Sequence, residues 1–431
     1  MSPASWMRML RPRLDDLVRF HRAPQALLSL ACWARAASKN PRRLPWLAHA
    51  CAAARSAPDQ ARMRAVERWI RRRLDRLPAD TLWKWQPPPA ERVEVRKSAI
   101  LKCASPGEKG VVFVSFETQW EKLLALGQER LAAFASDYDL VVAPTWSPPH
   151  SPANLVFPRL FPGPLPCTIS NLADLEIFPR LHPSYQPLRL FASSWVNPEI
   201  YQPRPRSERD IDLVMVANFG RYKRHHALFS ALARIPKHAR PNVVLVGQPH
   251  GDRTAEVLLH EMEDHGVRDC ITLRSRISDA EVVDTLCRSK AAIITSMREG
   301  SCVAVVEAMM ADTPLALLKG AQIGSSAFLN EHTGCWLDGA RLHEELPGFI
   351  ARSDRFSPRA WLLENGIHCR ASTQTLNEHL RTTAIAAGKP WTRDIFTHHW
   401  RPDPVVLSEA DAQAAARERA EIAIRLGLVL N

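Results

Sequence analysis

No run of 18 or more apolar residues occurs in the 431-residue chain, so a conventional spanning helix is not expected. No two of its nine cysteines form a C-x-x-C pair; they are scattered from Cys32 to Cys369. That argues against a disulfide framework and a zinc ribbon and fits a reducing cytoplasm. A signal peptide is not expected either, because Arg8, Arg11 and Arg13 interrupt any apolar core at the N-terminus. Repeats of solenoid period are absent from the sequence. Beyond residue 80 the chain also has almost no net charge. Residues 1–80 hold 17 Lys or Arg against 6 Asp or Glu, a net of +11, while the whole chain is +12. The basic character belongs to one segment. No helix-turn-helix, zinc-finger or aromatic sheet motif accompanies it, so nucleic acid is the least favoured partner. What remains, 46% hydrophobic and 24% charged, is an ordinary globular composition of a length suited to two or three domains.

The N-terminal segment reads as helical. Trp6, Leu10, Leu14 and Leu17 form an apolar stripe with Arg8, Arg11 and Arg19 off it, and a second helix is expected over about residues 58–77. Pro87, Pro88 and Pro89 then make a stiff linker. From residue 98 the texture changes to short apolar runs, at 98–102, 111–116, 140–143, 167–170 and 188–192, expected as buried strands of a parallel sheet. Residues 148–166, rich in proline, are expected as a surface loop. A polar joint at 204–209 precedes a clear alternation. Strands are expected at 212–217, 243–247, 270–273, 291–295 and 314–318, with helices at 225–235, 254–265, 278–289 and 303–311 between them. Ser278 and Glu281 have capping-box spacing for one of those helices. Such order predicts a doubly wound parallel sheet. Residues 351–431 read as a helical tail that ends in a helix from about residue 408.

Ligands of doubly wound sheets bind outside the carboxyl ends of the strands, and two such ends are chemically loaded here. After the strand at 212–217 comes Asn218-Phe219-Gly220-Arg221-Tyr222-Lys223-Arg224, then a helix. After the strand at 291–295 comes Ser296-Met297-Arg298-Glu299-Gly300-Ser301, then a helix that contains Glu307. The first turn offers cations; the second offers helix-start N–H groups and two carboxylates. Helix starts and cations bind phosphate, whereas carboxylates accept hydrogen bonds from sugar hydroxyls. Together they describe a site for a sugar attached to a nucleotide diphosphate.

The stretch Glu299-Gly300-Ser301-Cys302-Val303-Ala304-Val305-Val306-Glu307-Ala308 resembles the E-x7-E element of the retaining GT-B glycosyltransferases, specifically glycosyltransferase family four. Residues 216–232, with Lys223-Arg224-His225-His226, are similar to that family's basic element at the first turn of the C-terminal domain. The likeness extends over about residues 210–340 and is weak before them. It rests on context, a strand, a Glu-Gly turn and a helix, because a lone pair of glutamates eight apart arises by chance. The resemblance implies a fold of two Rossmann-like doubly wound domains (GT-B), here with an extra basic helical N-terminal segment. Expected divisions are 1–90 for the basic segment and linker, 91–205 for an acceptor domain, 206–350 for a nucleotide-sugar domain, and 351–431 for a tail crossing back to the N-terminal domain. It also implies roles. Lys223 and Arg221 would stabilise the departing diphosphate, although the family spaces its two cations farther apart. Glu299 would hold the donor sugar, Gly300 and Ser301 would present N–H groups, and Glu307 would accept the ribose hydroxyls.

The acceptor side offers less. Glu117-Thr118-Gln119-Trp120-Glu121 stands where the family often has a glycine-rich loop, and His150, in the loop 146–150, is a weak candidate facing the reaction centre. Asp210-Ile211-Asp212 matches a D-x-D metal motif but lies at the start of a strand, the wrong end for a ligand. His225 and His226 read as packing or surface residues, and His398-His399 lacks zinc-site spacing. The expectation is a retaining transferase, without metal or other cofactor, that moves a sugar to a saccharide or lipid-linked saccharide acceptor in surface glycan synthesis. It would be cytoplasmic, with residues 1–80 either packed on the core or attached to an anionic membrane surface. Two alternatives stand beside it: a same-fold nucleotide-sugar epimerase or sugar-phosphate synthase, and a non-catalytic membrane- or partner-binding scaffold.

Overall fold

The computed structural model describes residues 10, 11, 13–18, 24, 27, 60–145, 149–400 and 403–431. The chain divides into two compact units, one of residues 22–195 and 369–431 and one of residues 1–21 and 196–368. These limits differ from the divisions expected at 205 and 350: residues 196–205 and 351–368 group with the second sheet, and residues 369–431 group with the first.

In the larger unit β1 (Val93–Val95) precedes a five-stranded sheet of β2 (Ser98–Lys102), β3 (Gly110–Ser115), β4 (Tyr138–Ala143), β5 (Leu165–Ile169) and β6 (Tyr185–Phe191), in the order β2-β3-β4-β5-β6. Alternation along the strands fills two apolar layers: Val112 and Val114 face one cluster, Val111 and Phe113 the other. Each fully buried aliphatic or Phe side chain of this kind contributes about 1.5–3 kcal/mol. β3 to β6 are parallel, whereas β2 is antiparallel to β3. The reason is chain length. Residues 103–109 are too few for a parallel crossover and turn back through the Ser105–Glu108 bridge.

Residues 152–160 of the proline-rich stretch are a helix, not a surface loop. Ser151 caps a helix, Pro152–Leu160, by accepting from the Asn154 N–H, and Leu155, Val156 and Phe157 are buried. Pro152 stands at the first turn, where no N–H is needed, and the Asn154 carbonyl that the interior Pro158 leaves without a helical donor accepts from the Tyr185 hydroxyl at 3.1 Å. The basic helix Gln60–Leu74 buries Ile70 and Leu74 in the same core, with Arg64, Arg68, Arg72 and Arg73 exposed. Trp6 of the expected apolar stripe lies outside the described residues. The tail closes the unit: Leu428–Leu430 pairs in parallel with β1, and the helix Glu409–Leu426, capped by Ser408, buries Ala415, Ile422 and Leu426. The strands His398–Trp400 and Pro404–Val406 form a hairpin within what read as a helical tail. Among the described residues no helix is long and apolar enough to cross a membrane.

A buried ion pair ties β2 to the tail. Lys102 Nζ lies 2.5 Å from Glu108 Oε1 and 3.4 Å from the centre of the Trp391 ring, and Glu108 also accepts from Thr392 N at 2.8 Å. Burial pushes the Glu108 carboxyl up, but Lys102 and Thr392 outweigh it and bring it down to about 2. A carboxyl depressed in the folded state lends stability above its unfolded value, about 4.3, and that stability is lost as pH falls toward the folded value. Denaturant titrations between pH 5 and pH 2 should show that loss as an acid limb of about 3 kcal/mol. In Glu108→Gln this limb should be much reduced, and a limb of unchanged height would refute the assignment.

The smaller unit holds a six-stranded, fully parallel sheet of β7 (Ile211–Val216), β8 (Val243–Gly247), β9 (Ile271–Ser275), β10 (Ser289–Ile294), β11 (Leu315–Leu318) and β12 (Gly334–Leu337). Its order is β12-β11-β10-β7-β8-β9. The chain therefore winds outward from β7 through β8 and β9, then returns and winds the other way from β10. The reversal lies between β7 and β10, the place where open α/β sheets leave a crevice for ligands. At the end of β8, on the other side of β7, Gly247 permits close approach to that strand, since a Cβ on it would stand 2.1 Å from the Ala217 carbonyl oxygen. Asp210 and Asp212, at the opposite end of β7, pair with Arg288 and with Lys290.

Candidate functional site

Both loaded turns flank the switch point. The turn after β7 begins at Gly220, where a side chain would strike the Tyr222 ring at 2.5 Å, and continues as a 3₁₀ turn over Arg221–Lys223. Arg224 then adopts a left-handed conformation, φ 55°, from which the helix His225–Arg234 starts. A non-glycine residue in that region stores about 1–3 kcal/mol of strain, which surrounding contacts must over-determine. Thr295, at the end of β10, supplies such a contact: its hydroxyl donates to the Lys223 carbonyl at 2.7 Å and lies 3.1 Å from that of Arg224. His225 is buried, and burial with Arg253 and Lys223 nearby brings its imidazole down to about 3, so it is a neutral packing residue.

The turn after β10 is held by a parallel neighbour. Glu299 N donates to Gln322 O at 3.0 Å, Gly324 N to Gly300 O at 2.7 Å and Ser325 N to Ser301 O at 3.0 Å. Cys302 follows at φ 58°, and the helix Val303–Met310 begins there without a side-chain cap. Glu307, on that helix, is buried, with the Tyr201 hydroxyl donating to its Oε1 at 3.3 Å.

Lys223 and Glu299 meet across the switch point, Nζ to Oε1 2.5 Å, with side chains only 11% and 10% exposed. Burial opposes the Lys223 ammonium, yet the group is held above the usual lysine range by Cys302 and Glu299. Burial pushes the Cys302 thiol up to about 12, so it is neutral at pH 7 and Glu299 is the charge that acts. Arg221 points elsewhere: it donates to Asp252 at 2.7 Å and lies 3.4 Å from Asp15. Arg224 and His226 both contact Asp16, at 2.9 and 3.0 Å. His150 is buried in the larger unit, its Nε2 2.8 Å from Glu67, which also accepts from Arg180 Nε at 2.7 Å. It is therefore a member of a buried charged cluster rather than an exposed loop residue. His398 is buried too, stacked on Trp195 with ring centres 4.4 Å apart. Among the described residues no group of His, Cys, Asp and Glu is arranged to hold a metal ion.

Sequence reasoning missed Tyr201, Asp15, Asp16 and Asp252. Tyr201 sits in a proline-rich joint without periodicity, and the two N-terminal aspartates lie some two hundred residues from the turn they touch. Chemically, the site combines a buried lysine, two buried carboxylates, an uncapped helix start and further arginines on one turn.

Residues 196–347 match the family model of glycosyl transferases group 1. The matched segment contains all six strands of the smaller unit and both turns. No curated protein matches the chain. Among solved structures, sucrose-phosphate synthase from Thermosynechococcus elongatus is similar at 16% identity and TM-score 0.49, over 64% of this chain and 74% of that one. The Anabaena protein HepE in complex with UDP is similar at 15% identity and TM-score 0.48, over 60% of this chain and 77% of that one. The pneumococcal O-GlcNAc transferase GtfA, in complex with UDP and GlcNAc, is similar at 13% identity and TM-score 0.45, over 59% and 54%. The likeness to glycosyl transferases group 1 therefore covers the sheet of the smaller unit and both turns.

Proposed function

We propose that the enzyme moves a sugar from a nucleotide-diphosphate donor to a hydroxyl acceptor with retention of anomeric configuration. The observation that carries this reading is the Lys223–Glu299 pair at the switch point, flanked by the uncapped helix start and by Glu307. In the proposed reaction the bond between the sugar's anomeric carbon and the diphosphate oxygen breaks. The acceptor hydroxyl bonds to that carbon from the same face, and its proton passes to the departing diphosphate. No protein nucleophile takes part. Lys223 stabilises the charge that develops on the leaving oxygens, with Arg221 as a second cation. Glu299 accepts hydrogen bonds from the sugar hydroxyls while Gly300 and Ser301 offer N–H groups, and Glu307 accepts those of the ribose. No cofactor or metal is required in this scheme.

A saccharide or lipid-linked saccharide acceptor, a role in surface glycan synthesis and a position on the inner membrane face complete the proposal. The basic N-terminal segment supports the last of these. Thermal unfolding with UDP, GDP and ADP tests the donor site: ligand at about 100 times its Kd should stabilise the fold by about 2.7 kcal/mol. One nucleotide should raise Tm, and an unchanged Tm with all three at millimolar concentration would refute the reading. Product made from donor without any acceptor would instead favour the epimerase or synthase alternative.

A further inference from the structure

The basic turn carries its own counter-charges. Arg221, Lys223, Arg224 and His226 each face a carboxylate, and two of those carboxylates, Asp15 and Asp16, come from the N-terminal segment. Asp16 contacts Arg224 and His226 together. Burial pushes its carboxyl up, but His226 and Arg224 outweigh burial and hold it below the usual range. A diphosphate arriving at this turn meets cations that are already neutralised, and must displace the aspartates to reach them.

The other side of the same helical stretch is unlike the side that touches the turn. Leu14, Leu17 and Val18 are 51%, 47% and 52% exposed, and Arg11 and Arg13 beside them are exposed as well. At 3.6 residues per turn these five fall within an arc of about 160°, apolar at its centre and basic at both margins, with Asp15 and Asp16 outside it. Apolar residues flanked by arginines are the chemistry of an interface with anionic lipid. The net charge of +11 over residues 1–80 gives the same complementarity.

Resting on the donor reading above, we propose that residues 11–18 dock on an anionic bilayer and thereby draw Asp15 and Asp16 off Arg221 and Arg224. The two aspartates act as an internal competitor of the donor diphosphate. In this proposal the bilayer binds the released helix more tightly than the one held on the turn, so membrane contact and donor binding strengthen each other.

Titration of the full-length chain with the nucleoside diphosphate that stabilises it, with and without vesicles, tests this. Asp15→Asn/Asp16→Asn should bind that diphosphate about fivefold to tenfold tighter, the effect of two half-buried ion pairs, and bind the phosphate-free nucleoside no better. Vesicles of phosphatidylglycerol and phosphatidylethanolamine should confer a similar gain on the wild type and none on the double variant. Leu14→Glu/Leu17→Glu should fail to sediment with those vesicles while its vesicle-free affinity stays that of the wild type. Equal or weaker diphosphate binding by the aspartate variant overturns the competitor role and makes Asp15 and Asp16 supports of the turn. Equal sedimentation with pure phosphatidylcholine, or a dimer lost in the leucine variant, overturns the bilayer as occupant. If no nucleoside diphosphate binds any form, the donor reading itself fails and this proposal with it; binding that the aspartate variant does not strengthen sinks the proposal alone.

Discussion

Lys223→Met/Glu299→Gln is expected to fold with near wild-type stability and to turn over at least a hundredfold more slowly. The argument has two parts. Lys223 and Glu299 are a buried pair, so removing the lysine alone leaves Glu299 without its counter-charge, at a cost of about 3–5 kcal/mol. Replacing both members with neutral residues of similar shape avoids that penalty, because a buried pair gains little net stability over neutral packing. Catalysis behaves differently. A preorganised cation aimed at charge that develops on the leaving diphosphate is worth about 2.7–4 kcal/mol in the transition state, a factor of about 100–1,000 in rate. Chemical denaturation and steady-state kinetics of the single and double variants separate the two. A double variant restored in both stability and kcat would show the pair to be scaffold only.

Glu307→Gln should erase the enzyme's discrimination between a ribonucleotide and its 2′-deoxy counterpart. Glu307 is buried, on a helix whose start faces the crevice, and the Tyr201 hydroxyl occupies part of its Oε1. Hydrogen bonds to a charged group contribute about 1.5–3 kcal/mol, so losing one to the ribose weakens binding by about ten- to a hundredfold. The glutamine keeps the shape and an acceptor oxygen for Tyr201, which protects the fold. Calorimetric Kd values for the ribo and deoxy forms of the stabilising nucleotide, in wild type and variant, provide the check. Equal preference for the ribonucleotide in both proteins would remove Glu307 from the ribose site.

Much of the second sheet was legible in the chain because its strands and helices alternate with clean turn chemistry. Ser278 and Glu281 do form the expected capping box. The first sheet was harder to read. Apolar runs buried on both faces show where strands lie but not their direction, so the reversed β2 followed only from the short connection to β3. The helix Pro152–Leu160 was hidden by its prolines, whose cost as breakers depends on where in the helix they fall.

By itself the sequence determined that the chemistry of this protein is local. Gly220 to Arg224 and Glu299 to Glu307 are each a strand end, a turn and a helix start, and local rules of turn and cap suffice to place such residues where a strand gives way to a helix. Tertiary structure alone decided that those two loops are neighbours. β7 and β10 pair in the sheet although residues 217–288 separate them, and this pairing brings Lys223 onto Glu299 at the switch point. It alone seated Tyr201 on Glu307, Glu67 on His150, and Asp15 and Asp16 on the basic turn. The physical reason is common to all of these. A buried or half-buried charge must find a counter-charge or hydrogen-bond partner, but no spacing in the chain says which distant segment supplies it.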